Sequence, residues 1–363
     1  MMNGLDGVIA AETVLSDVDG EAGRLVIRGR SLEELVAHYH YEDALTLLWE
    51  TLFPECDGSN RLVAALGEAR VRIFDHWRAA DAQLLALPPV DAVRCLLSRI
   101  EDGNDLSAAL RLVAAPAVFA PAVIRLKHGL EPIAPDSTVA HAADILRMLH
   151  SSAASPAQVL TLDRYLVSAI DHGLNASTFT ARVIASTHAG LTSALVGALC
   201  ALKGPLHGGA PGPVLDMLDA IGHAGAAKAW LEAALARGER LMGFGHRIYR
   251  VRDPRADAIK GALERLVQAG GLDPARLQLA EAVERAALEV LSRHRPGRPL
   301  QTNLEFYTAL LLEALGFPRE AFTCVFAAGR AGGWIAHARE QVLRGRLIRP
   351  SSRYVGLRTS AAA

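Results

Sequence analysis

From Ser31 to Leu343 the chain alternates apolar stretches of alanine, leucine and valine with single charges, and prolines and glycines cut these stretches into lengths of one to several helical turns. Such a pattern suits amphipathic or fully buried helices and leaves little room for a large sheet. Hydrophobic residues make up 51% of the chain but aromatic ones only 5%, so the core must be aliphatic. Its commonest members, Ala and Leu, are strong helix formers. With 363 residues, two or three domains or one large domain with a smaller one against it can bury a substantial core. The expected fold class is all-α.

The first 30 residues depart from this pattern. Gly4, Gly7, Gly20, Gly23 and Gly29 punctuate short pieces such as Thr13-Val14-Leu15 and Leu25-Val26-Ile27, and Asp17-Val18-Asp19-Gly20 carries a turn signal. A small β-hairpin is expected there. Ser31 with Glu34 then opens the first helix as a capping box. A second helix is expected over 41–52, ending before Pro54. Pro88-Pro89, Pro116, Pro121, Pro132 and Pro135 are expected to break the next stretch into segments. Residues 157–170 and 176–202 read as long buried helices, and 319–343 as the last helix before the polar tail at Arg349-Pro350.

Thirty-eight basic residues balance 39 acidic ones, so no global field draws the protein to nucleic acid or an anionic membrane. Any bound anion must be held locally. Cys56, Cys95, Cys200 and Cys324 lie far apart with no CxxC pair, which argues against a disulfide framework or a zinc site and fits a reducing compartment. No signal-peptide pattern opens the chain, and no uncharged apolar run reaches the roughly 18 residues of a membrane span. A cytoplasmic protein is the expectation.

Polar residues gather in four loops between apolar helices, where function usually resides. The first is Asp171-His172-Gly173-Leu174-Asn175-Ala176-Ser177-Thr178; its serine and threonine could cap a helix, and a lone His172 reads first as a hydrogen-bonded loop histidine. The second, Gly204 to Ala210, places His207 before two glycines among apolar residues. A neutral imidazole there could donate to a developing oxyanion, although a plain helix-to-helix turn gives the same letters. In the third, Gly243-Phe244-Gly245-His246, five basic residues follow between 247 and 260 against two acids. The GxG lacks a third glycine and fails as a dinucleotide fingerprint. The cations suit phosphates or carboxylates, or else a solvated face. The fourth comprises Asn303-Leu304-Glu305-Phe306-Tyr307 and Arg330 to His337. Among apolar neighbours Glu305 should be partly desolvated with a raised pKa, suited to a general base, or it simply caps its helix.

Together these stretches resemble the citrate synthase family over nearly the whole chain. The similarity runs through the opening Leu5 to Thr13, Asp171 to Phe179, Pro205 to Gly209, Gly243 to His246, Asp253 to Arg255, Gly333 to His337 and Arg349-Pro350. The resemblance implies a two-domain helical fold, with residues 1–208 and 316–363 in a large domain and 209–315 in a small one that closes over substrate. It implies a homodimer that condenses acetyl-CoA with oxaloacetate and hydrolyses the thioester, with no metal and no cofactor beyond the CoA thioester substrate. His207 would polarise the thioester carbonyl, and His246 would hold and protonate the oxaloacetate carbonyl. His172, Arg255 and Arg330 would bind the carboxylates, joined by Arg349 from the partner subunit. Arg250 and the loop Met242, Gly243, Phe244 and Gly245 would meet CoA. The family's base is an aspartate, whereas Glu305 is one methylene longer, and Pro211-Gly212 stand where the family often has Asn-Glu. The resemblance thus also admits a 2-methylcitrate synthase or other paralogue using propionyl-CoA, and a weakly active ligand-binding relative.

Overall fold

The computed structural model describes residues 4–356 apart from Asp6, 57–58, 209–210, 295–296 and 298–299. Gly209 and Ala210 of the second loop, and with them the expected domain boundary, lie outside the described residues. The chain opens with β1 (Ser16–Asp19), β2 (Arg24–Ile27) and β3 (Arg30–Ser31), then α1 (Leu32–His38), α2 (Tyr41–Trp49), α3 (Ser59–Phe74), α4 (Ala82–Ala86), α5 (Pro89–Leu97) and α6 (Leu106–Lys127). There follow α7 (His141–His150), α8 (Pro156–Ala169), α9 (Ala176–Ala185), α10 (Leu191–Leu202), α11 (Pro211–Ile221) and α12 (Ala227–Ala236). The last four are α13 (Pro254–Gln268), α14 (Pro274–His294), α15 (Leu304–Ala314) and α16 (Phe322–Arg344). The fold is helical, as the aliphatic pattern demands.

The expected hairpin forms as β1 and β2, and it gains a third antiparallel strand because the chain reverses again after β2. Arg28 and Gly29 supply that second reversal with φ of 49° and 79°. The first turn forms where Asp19 was expected to make it: its carboxylate accepts the amides of Glu21 and Ala22 at 3.1 and 2.9 Å. Ser31 caps α1 by accepting the Glu34 amide at 3.2 Å.

Two helix boundaries differ from expectation. Pro116 and Pro121 do not break their stretch but lie inside α6, whose central residues are almost all buried. An internal proline costs about 3 kcal/mol, yet α6 packs against α3, α5, α7 and α16, and burial on all sides outweighs it. By length and composition α6 could cross a membrane, but this burial makes it a core helix.

The stretch 176–202 is two helices rather than one. His188 and Gly190 turn the chain between them with φ of 61° and 103°. Asp102, far away in sequence, caps α10 by accepting Thr192 and Ser193 amides at 2.8 and 3.1 Å. A Cβ on Gly190 would lie 2.3 Å from that carboxylate, which is why the position is glycine. The helices expected over 41–52, 157–170 and 319–343 form as α2, α8 and α16, with ends moved by up to three residues.

Candidate active site

Three loops converge where α8, α13, α15 and α16 meet. His172 follows the C-terminus of α8, and its ring lies edge-on to His246 at 5.3 Å. Tyr249 completes the cluster, 4.8 Å from the His246 ring, with its hydroxyl 3.2 Å from His172 Nε2. The Arg255 guanidinium sits 6.0 Å over the Tyr249 ring.

Hydrogen bonding fixes the tautomer of His246. Its Nδ1 accepts the backbone amides of Ile248 at 3.1 Å and Tyr249 at 3.0 Å. Nδ1 therefore carries no proton, and Nε2–H is the free donor. Burial, then Arg255, lowers the His246 pKa to about 4, so the ring is neutral at pH 7.

His207 is set by a similar count. Ser177 Oγ accepts Trp334 Nε1–H at 3.0 Å and gives its single proton to Asn175 Oδ1 at 2.8 Å. The remaining 2.8 Å contact, with His207 Nε2, must then be donated by the histidine. Asn175, not Ser177 or Thr178, caps α9 by accepting the Thr178 amide at 3.0 Å. Burial, then Arg330, lowers the His207 pKa to about 4. His172 is pushed further down by burial and by Arg255.

An unfolded histidine titrates near 6.5, so between that value and about 4 the unfolded chain binds more protons than the native one. Stability from these histidines is whole above pH 6.5 and is lost as the pH falls through about 4. Replacing His207 by Asn should therefore reduce the fall in melting temperature between pH 7 and pH 4.5. A fall as large as the parent's would refute the depressed pKa.

The cations divide into two kinds. Arg255 is paired: Asp253 Oδ1 accepts its Nε at 3.0 Å and Oδ2 its Nη2 at 2.7 Å. Burial opposes both charges, but the mutual attraction keeps Asp253 low and Arg255 high. Arg330 is buried and unbalanced. Its Nε bonds the Ala169 carbonyl, while its Nη2 has no hydrogen-bond partner among the described residues. Burial lowers its pKa to about 10. A buried guanidinium nitrogen left unpaired is costly, and an anion would satisfy it.

Glu305 stands half-buried in the first turn of α15. Burial raises its pKa, with Arg255 opposing. No other side chain hydrogen-bonds it among the described residues. The start of its helix is locked to the His246 loop: Gly245 N–H donates to Gln301 O at 2.7 Å and Asn303 N–H to Gly243 O at 3.0 Å. Asp253 Oδ2 also accepts the Leu304 amide at 3.2 Å. Gly243 and Gly245 have φ of 85° and 87°, and a Cβ on Gly243 would lie 2.7 Å from the Phe306 ring. These bonds use main-chain groups of the Met242–Gly245 segment on the side facing 301–303 and leave Phe244's own amide and carbonyl outside the bridge.

Two expected residues stand apart. Arg250 is exposed, its Nε 4.0 Å from Glu21 beside the N-terminal sheet. Arg349 is exposed on the tail, whose Ile348 amide bonds Ser186 Oγ at 3.1 Å. Of the other basic residues after His246, Arg252 pairs with Asp257 and Glu284, both at 2.5 Å, and Lys260 with Glu281 at 2.8 Å, so these serve the fold. Reasoning from sequence gave no role to Tyr249, Trp334 or Asp253, and offered Ser177 only as a helix cap. It also missed a buried chain in which Arg182 donates to His337 Nδ1 at 3.0 Å and His337 Nε2–H to Asp171 at 3.1 Å, next to His172.

Residues 4–351 match the family model described as citrate synthase, C-terminal domain. A citrate synthase of Haloferax volcanii is 38% identical, covering 98% of this chain and 96% of the relative. A 2-methylcitrate synthase of Mycobacterium tuberculosis is 35% identical, covering 97% and 90%. The solved citrate synthase of Thermotoga maritima superposes with a TM-score of 0.84 at 31% identity, over 100% of this chain and 98% of that one. The Thermoplasma acidophilum enzyme, solved with carboxymethyl coenzyme A and oxaloacetate, gives 0.83 at 25% identity, over 99% and 97%. With a family match along almost its entire length and relatives this similar from end to end, the chain belongs to the citrate synthase family.

Proposed function

We propose that this protein joins acetyl-CoA to oxaloacetate and hydrolyses the resulting thioester to citrate and CoA. The observation that carries this reading is the pairing of two neutral, pKa-depressed histidines with a buried guanidinium, that of Arg330, whose Nη2 has no hydrogen-bond partner among the described residues. A small dianionic keto acid needs such a receptor: fixed cations for its carboxylates and a neutral N–H for its ketone. The relative solved with carboxymethyl coenzyme A and oxaloacetate supports both substrates.

In this reading Arg255, Arg330 and His172 hold oxaloacetate, and His246 Nε2–H donates to its ketone. Glu305 takes a proton from the α-carbon of the acyl group, and its raised pKa brings it nearer to that task at neutral pH. His207 stabilises the enol oxygen through Nδ1–H in its other tautomer, in which Ser177 turns its hydroxyl from Asn175 to Nε2. His246 passes its Nε2 proton to the oxaloacetate oxygen as the carbon–carbon bond forms. The Phe244 main chain and Arg250 are the groups proposed to receive CoA. We place 209–315 in a small domain that closes over the site, and Arg349 in the site of a partner subunit in a cytoplasmic homodimer. The reaction needs no metal or redox cofactor, since the CoA thioester is itself a substrate.

One methylene separates acetyl from propionyl, which a pocket distinguishes by about 1–3 kcal/mol. Steady-state CoA release with each thioester and oxaloacetate should show kcat/KM about tenfold or more in favour of acetyl-CoA. A ratio reversed in favour of propionyl-CoA would make the protein a 2-methylcitrate synthase, and no release with either would remove the proposal.

A further inference from the structure

Tyr165 lies in the middle of α8, 1% exposed, and its hydroxyl has no hydrogen-bond partner among the described residues. Burying a phenol oxygen unsatisfied is unfavourable, and native cores rarely do so without cause. Another orphan donor of the site, Nη2 of Arg330, belongs to the helix that packs against α8. Arg330 Nε bonds the carbonyl of Ala169, which lies four residues after Tyr165 and so on the same face of α8. Gly329, next to Arg330, permits this close approach: a Cβ there would come 3.0 Å from Ala169 Cβ. The charged groups that act on the Tyr165 hydroxyl are Arg330, Glu305 and Arg255, the cations and base of the site just described.

We infer that Tyr165 is a substrate-contacting residue: its hydroxyl and Arg330 Nη2 form a two-pronged donor for one carboxylate of the keto-acid substrate. This rests on the function proposed above. Burial keeps the phenol protonated far above neutral pH, so it is always a donor. Both donors are buried without a hydrogen-bond partner among the described residues, and a carboxylate oxygen would satisfy both together. A tyrosine that merely fills the core would have no reason to carry the oxygen. Phenylalanine fills the same space without it.

Tyr165→Phe separates the two roles, because it deletes only the oxygen. Oxaloacetate affinity by calorimetry, and its KM, should weaken about tenfold to a hundredfold, the worth of one hydrogen bond to a charged group. The KM for acetyl-CoA should stay within about twofold, and the melting temperature of the ligand-free variant should be unchanged or higher. Unchanged oxaloacetate affinity in a variant otherwise active would overturn the inference and leave the proposed function standing. A lowered melting temperature with unchanged affinity would assign the hydroxyl to the fold and overturn it too. Should the parent protein itself fail to bind oxaloacetate, the proposed function falls and this inference with it.

Discussion

Replacing Glu305 by glutamine should lower kcat by about 10²–10⁴-fold, the usual worth of a positioned general base, while leaving oxaloacetate affinity nearly unchanged. The glutamine keeps the shape and the place in the first turn of α15 but cannot take a proton. In the proposed function oxaloacetate is held elsewhere, by Arg255, Arg330 and the histidines, so its binding would report that the site is intact. The proton step can be isolated by incubating enzyme, acetyl-CoA and an unreactive oxaloacetate analogue in D₂O and following exchange at the α-carbon. Exchange as fast in Glu305→Gln as in the parent would reduce Glu305 to a helix-end carboxylate. Glu305→Asp asks whether the longer side chain is accommodated. The start of α15 is fastened to Gly243, Gly245 and Asp253, so it cannot shift freely to bring a shorter carboxylate forward. Asp should therefore also lose rate, since about 1 Å of misplacement costs roughly 10²-fold.

Arg330→Ala should weaken oxaloacetate binding by about 2–5 kcal/mol, as when one partner of a buried charged hydrogen bond is removed. The ligand-free protein should respond far less. Removing Arg330 deletes a cap on the Ala169 carbonyl but also a buried cation with an unpaired nitrogen, and these effects oppose each other. Calorimetric titration beside a melting curve tests both statements. Oxaloacetate bound as tightly by the variant as by the parent would mean that the carboxylate sits elsewhere.

What the sequence disclosed and what it withheld divide along physical lines. The helical class, the cap at Ser31 and the turn at Asp19 depend on neighbours within four residues, and they were legible. So were His172, His207 and His246, because each interrupts apolar helices beside glycine. The break at Gly190 was not, since the carboxylate that demands it comes from Asp102. The continuity of α6 through two prolines depends on helices packed around it, which no local pattern reports. Arg255 and Arg252 look alike in the sequence. Only the fold gives Arg255 to Asp253 beside the rings and Arg252 to Glu284 and Asp257. Tyr165 lies in the stretch 157–170 that reads as a buried helix, and nothing in the sequence around it marks its hydroxyl as unpaired.

The N-terminal sheet touches the loops of His172 and His246: Ser16 Oγ accepts the Gly173 amide at 3.2 Å, and Gly20 O accepts the Arg250 amide at 2.9 Å. Gly20 has no room for a methyl group, since its Cβ would lie 2.3 Å from the Ile248 carbonyl oxygen. That same peptide segment supplies the amides that hold the proton of His246 on Nε2. In a saturation scan scored by turnover, residue 20 would thus behave as a member of the catalytic apparatus, although as a glycine it has no side chain to offer a substrate.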